Sequence, residues 1–145
     1  MIRSILVLGV SALALSACGS GGGGGGGNSD VKKACASIMS DPEPAGELAE
    51  NDVSVDGFCD CLTGQLAEMP DADAERMRTT MIAVAPGFEE GRSGQEIYSE
   101  LREKGQADDA TPADVEAYEN MDDLGEFLED VIDGMASNGG ACPAA

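Results

Sequence analysis

Five cysteines carry most of the reactive chemistry in this chain: Cys18, Cys35, Cys59, Cys61 and Cys142. Two of them lie one residue apart, in Phe58-Cys59-Asp60-Cys61. Sulfurs so placed suit disulfide formation, thiol exchange or soft-metal ligation. The familiar exchange motif has two residues between its cysteines and a βαβ setting. Here there is a single spacer, and no segment shows sustained period-two alternation. A thiolate metal site would take Cys35 as a third ligand with help from methionine. However, the chain has no histidine. Met69, Met77, Met81, Met121 and Met135 fall on apolar stripes, where methionine fills gaps in a core. The lack of histidine also removes the usual general base. No GxSxG elbow and no Walker loop occur. A carboxylate pair can hydrolyse glycosides, but with 28 acidic residues any one pair is uninformative.

The oxygen donors offer one pattern. Asp52-Val53-Ser54-Val55-Asp56-Gly57 matches the opening of a calcium loop, with oxygens at positions 1, 3 and 5 and the turn glycine at 6. Asp60 falls at position 9. Position 12 needs a bidentate Glu and holds Thr63 instead. The plainer reading is a polar turn in which Ser54 or Asp56 caps a helix. Calcium binding through Asp52, Ser54, Asp56 and Asp60 remains the weaker alternative, and no metal or other cofactor is expected.

Cys18 stands in a different setting. Met1-Ile2-Arg3-Ser4 sets one positive charge before an apolar run from Ile5 to Leu15, broken only by Gly9 and Ser11. The run falls short of the ~20 residues that span a bilayer core. A charged start, a short apolar middle and a small-residue exit make a secretory signal. The exit reads Leu15-Ser16-Ala17-Cys18. It resembles the lipobox of bacterial lipoproteins and covers about an eighth of the chain. The resemblance implies cleavage before Cys18 and acylation of its sulfur and amine. Two or more acyl chains anchor stably where one anchors only marginally. Gly19, rather than Asp, follows the cysteine, which in well-studied lipoproteins points to the outer membrane.

The implied organisation is a signal peptide over 1–17, a lipidated cysteine with a glycine-rich linker over 18–29, and a folded domain over 30–145. Gly21 to Gly27 form an unbroken run. Glycine loses the most freedom on ordering and has no side chain to bury, so the tract is expected to be flexible coil reaching roughly 17 Å. A phosphate-binding glycine loop needs a strand before it and a helix after, and no strand precedes this one.

The net charge of the chain is −20. Losing Arg3 with the signal leaves 7 basic against 28 acidic residues, or −21. Such a surface repels nucleic acid and anionic headgroups, so no nucleic-acid partner is expected. It attracts cations and basic proteins or peptides, and it keeps the domain soluble.

With Cys18 assigned to lipid, four cysteines remain in an exported chain. An even number there reads as two disulfides. Residues two apart on a helix point about 200° apart, so Cys59 and Cys61 reach different neighbours rather than each other. The preferred pairing is Cys35–Cys59 with Cys61–Cys142; Cys35–Cys61 with Cys59–Cys142 stays open close behind.

These cysteines must be held by helices. There is no Trp, and Ala, Glu and Leu are frequent. Five amphipathic stretches are predicted. The first runs from Ser29 or Asp30 to Met39, ended by Asp41-Pro42-Glu43-Pro44. The second starts between Ser54 and Asp56 and ends at Met69, with a stripe of Val55, Phe58, Leu62, Leu66 and Met69. The third follows Asp71 and is stopped by Ala85-Pro86-Gly87. The fourth opens with a capping box of Ser93 and Glu96 and ends near Gly105. The fifth opens with Thr111 as cap and Pro112 in the first turn. It runs to Asn138, with Gly125 or Asp122-Asp123 as a bend or break.

The expected fold is an all-α, disulfide-stapled bundle. The expected function is a lipid-anchored envelope protein whose small acidic domain is a binding or structural module, with a lipoprotein that binds divalent cations such as calcium through clustered carboxylates as the alternative and a carboxylate-based enzyme behind it. It is not read as an enzyme. Its partners are the membrane, through lipid on Cys18, and a basic envelope protein or peptide.

Overall fold

The computed structural model describes residues 24–144. The signal expected over 1–17, the Cys18 expected to carry lipid and residues 19–23 of the expected linker lie outside the described residues. Six helices follow in order: α1 (Gly24–Ile38), α2 (Pro42–Glu50), α3 (Val55–Glu68), α4 (Asp71–Glu89), α5 (Gly94–Gly105) and α6 (Pro112–Ser137). Among the described residues there is no strand, so the all-α class holds.

α3 is the inner helix. Its stripe of Phe58, Leu62 and Leu66 is buried, as are Cys59 and Cys61. α1 packs along α4 and against α3, burying Val31, Ala34, Cys35 and Ile38. α5 packs along α6, and α6 turns Leu124, Val131, Ile132 and Met135 inward against α3 and α4. One core joins the helices, with Met77 and Met81 of α4 inside it. Burying a Leu, Phe or Met side chain stabilises by about 1.5–3 kcal/mol.

The caps expected at α5 and α6 are present. Ser93 Oγ accepts from the Glu96 amide, and the Glu96 carboxylate accepts from the Ser93 amide. Thr111 and Asp114 form the same reciprocal pair.

Four local expectations are corrected. The first is α2, a sixth helix where the sequence suggested only a terminator. Asp41 ends the turn after α1 and at the same time caps α2. Pro42 and Pro44 both fall in the first turn, where amide hydrogens have no partner inside the helix and their loss costs little. The second is α4, which continues through Pro86 to Glu89. A proline inside a helix costs about 3 kcal/mol, but the extra turn delivers Phe88 into the core, which offsets much of that. The third is α6, a single helix of 26 residues with no break at Gly125. Leu124 and Leu128 on either side pack inward and hold it continuous. The fourth is the linker boundary. α1 begins at Gly24, so residues 24–27 are helical rather than coil. Once Val31 to Ile38 nucleate the helix, each added residue gains a hydrogen bond, against about 1 kcal/mol of glycine penalty.

Candidate functional site

The cysteines resolve into two bridges. Cys35 of α1 pairs with Cys59 of α3, with Cα atoms 5.8 Å apart. Cys61 of α3 pairs with Cys142 of the tail, at 5.3 Å. The preferred pairing is therefore the observed one. The opposed directions of Cys59 and Cys61 on one helix send one sulfur to α1 and the other to the tail. The first bridge is buried at both ends. The second is buried at Cys61 and exposed at Cys142. The tail is held further by Gln65 of α3, whose Nε2 donates to the Pro143 carbonyl at 2.8 Å. Pro143 also lies against Gly134, where an added Cβ would meet the ring at 2.9 Å.

The candidate calcium residues do not form a loop. The backbone becomes helical at Val55, so Gly57 lies within α3 rather than at a turn. Ser54 is the N-cap, its Oγ accepting from the Gly57 amide at 3.1 Å. Asp56 sits in the first turn, where a carboxylate favours the helix dipole. Asp60 is ion-paired with Lys32 of α1. Asp52 adopts φ of 55° in the connection before the cap. Among the described residues, no group of three or more Cys, Asp or Glu comes together as metal ligands, and every buried side-chain nitrogen and oxygen has a hydrogen-bond partner.

Two polar constellations were not evident from spacing. The first is Asp41, one of two buried polar residues among those described. Its Oδ1 accepts from the Glu43 amide at 3.1 Å, capping α2. Its Oδ2 accepts from the Gly94 amide at 2.6 Å, in the first turn of α5. One carboxylate thus serves two helix N-termini, where backbone donors converge. The Asp-Pro-Glu-Pro pattern was the signal for the first bond; nothing local announces the second.

The second constellation joins α5 to α6. The Tyr98 and Tyr118 hydroxyls lie 3.3 Å apart, and the Tyr98 hydroxyl donates to Asp122 at 3.1 Å. The bond shared with Tyr118, partial burial and the Asp122 carboxylate together push the Tyr98 pKa up to about 12. A phenol so held keeps its proton at neutral pH and cannot act as a general base there. Arg102 lies 5.9 Å over the same ring.

No family model, curated protein or solved structure matches this chain.

What remains is the charge surface. Among the described residues, five of the 28 carboxylates meet a cation, those of Asp60, Asp73, Glu89, Glu100 and Asp123. α6 carries nine acidic residues and no Lys or Arg. Its run from Glu119 to Asp133 places like charges at i, i+4, each such pair unfavourable by about 0.2–0.5 kcal/mol.

Proposed function

We propose that this protein is a bacterial lipoprotein of the cell envelope, held by acyl chains on Cys18 and more specifically at the outer membrane. Its acidic helical domain is a non-enzymatic binding or structural module that acts through surface contacts with a basic protein or peptide. One observation carries this reading. Four of the five cysteines pair with one another, and the fifth is the residue that closes the apolar leader. Pairing of this kind belongs to an oxidising compartment, and a lipid-bearing cysteine stays out of it. The surplus of unpaired carboxylates supports the choice of partner.

The experiment is expression of the full chain in a bacterial host fed labelled palmitate. The protein is expected in the membrane fraction, carrying label and lacking residues 1–17, and Cys18→Ser is expected to lose both label and cleavage. A fat-free protein in the cytoplasm with its leader intact would refute the reading. Capture of basic envelope proteins on the purified protein then tests the module.

A further inference from the structure

We infer that the groove between α2 and α6 is the docking site for a basic amphipathic segment of a partner, a stretch rich in Lys or Arg with apolar residues on its other face. This rests on the binding-module reading above and assigns it a place. The groove has a volume of about 400 Å³ and opens to solvent. Its apolar floor is the half-buried Pro44 of α2 and Leu128 of α6, together with Ile132, which the core already buries. Its acidic rim is Glu43 and Glu47 on one wall and Glu129 on the other. None of these three carboxylates takes part in an ion pair within the described residues.

Charge complementarity selects the occupant. The other described grooves that contain carboxylates also contain a cation, Lys33 between α1 and α4 or Arg92 beside α5. The groove between Thr79 and Leu101 is lined by no charged residue. Only the α2–α6 groove, among those described, combines an apolar floor with carboxylates and no cation of its own. A purely apolar guest would strand the rim carboxylates against it. A purely polar cation would leave the half-buried Pro44 and Leu128 uncovered. A segment with both features satisfies both, in the manner of a helix laid in a groove. Asp41 gives the site its shape, since its bond to Gly94 holds the start of α2 against α5 at the end of the groove where Gln95 stands.

The test uses the full-length protein, purified from membranes in a non-ionic detergent, and a labelled Lys/Leu peptide of amphipathic design followed by fluorescence anisotropy. Three comparisons are made. The groove triple E43Q/E47Q/E129Q is set against a triple of equal charge elsewhere, E103Q/E116Q/E119Q. Gly125→Leu fills the groove from α6, where an added Cβ meets nothing within 4 Å, and its far-UV circular dichroism is expected to match that of the unaltered protein. A Lys/Gln peptide of the same charge tests the floor. Saturable binding is expected. The groove triple, Gly125→Leu and the Lys/Gln peptide are each expected to weaken it by about tenfold or more, and the distant triple by less than about twofold. Equal losses in the two triples, or no loss with Gly125→Leu, overturn the groove assignment and leave the binding module standing. No binding of the Lys/Leu peptide by the unaltered protein overturns both. Self-association of the unaltered protein that Gly125→Leu abolishes also overturns the assignment, making a second copy the occupant.

Discussion

Replacing Asp41 with alanine removes one carboxylate and breaks two hydrogen bonds that stabilise different helices. The bond to the Glu43 amide is an N-cap, and losing a cap costs about 0.5–2 kcal/mol. The bond to the Gly94 amide joins an ionised acceptor to a partly buried donor, and bonds to charged groups contribute about 1.5–3 kcal/mol. The two share one side chain and are not independent. The expected loss for Asp41→Ala is therefore about 2–4 kcal/mol, a large part of the 5–15 kcal/mol of a typical domain. Asp41→Ser separates the contributions, because a serine can cap α2 yet is too short to reach α5. It should recover about 1 kcal/mol of the loss and no more. The assay is equilibrium urea unfolding followed by far-UV circular dichroism, with the disulfides intact and the midpoint shift converted at constant slope. Asp41→Ala within about 0.5 kcal/mol of the unaltered protein would refute the account, because surface substitutions routinely fall in that range. Asp41→Ser equal to the unaltered protein would refute the bond to α5 alone.

Four further outcomes follow. Removing the bridges by paired substitution with alanine is expected to cost up to about 3.5 kcal/mol for Cys35–Cys59 and about 4.5 for Cys61–Cys142, from loops of 24 and 81 residues; under limiting reductant with alkylation and mass mapping, Cys142 and Cys61 should be labelled before the buried pair. Two helical glycines should respond with opposite sign: Gly64→Ala stabilises by about 0.5–1 kcal/mol because its Cβ meets open space, whereas Gly105→Ala destabilises by about 1–3 because its Cβ would lie 3.0 Å from the Asp114 carbonyl and 2.9 Å from Tyr118. Thermal melts should show the protein gaining stability as salt rises from about 0.01 to 0.5 M, since screening relieves the repulsion along α6; a fall with salt would show that ion pairs dominate instead. The Tyr98 phenol is raised in the folded state to about 12, so its contribution is present below the unfolded value of about 10 and is lost as pH rises from about 10 to 12. The phenolate absorbance of Tyr98→Phe against the unaltered protein reads this directly.

Much of the fold is written in short-range patterns. The stripes of α3 and α6, the capping boxes Ser93–Glu96 and Thr111–Asp114, and the divergence of Cys59 from Cys61 all depend on residues within one or two helical turns, so periodicity and side-chain direction suffice to read them. The same locality explains the errors. Asp41-Pro42-Glu43-Pro44 is equally a stop for one helix and a start for the next. Only the burial of Leu48 and the donor waiting at Gly94 settle that it starts α2. Pro86 is a breaker by its own chemistry, and α4 passes through it because Phe88 has a place in the core to fill.

The candidate site divides along the same line. Cysteine count, acidic surplus and the order of leader, Cys18 and glycines are properties of the chain, independent of how it packs. The pairing of Cys61 with Cys142 across 81 residues, the single carboxylate shared by α2 and α5, and the meeting of Glu43 and Glu47 with Glu129 around an apolar floor are properties of packing. They join side chains from helices that no periodicity relates, and they arise only once a common core has brought those helices together, because contact between distant segments is decided by the burial of all of them at once.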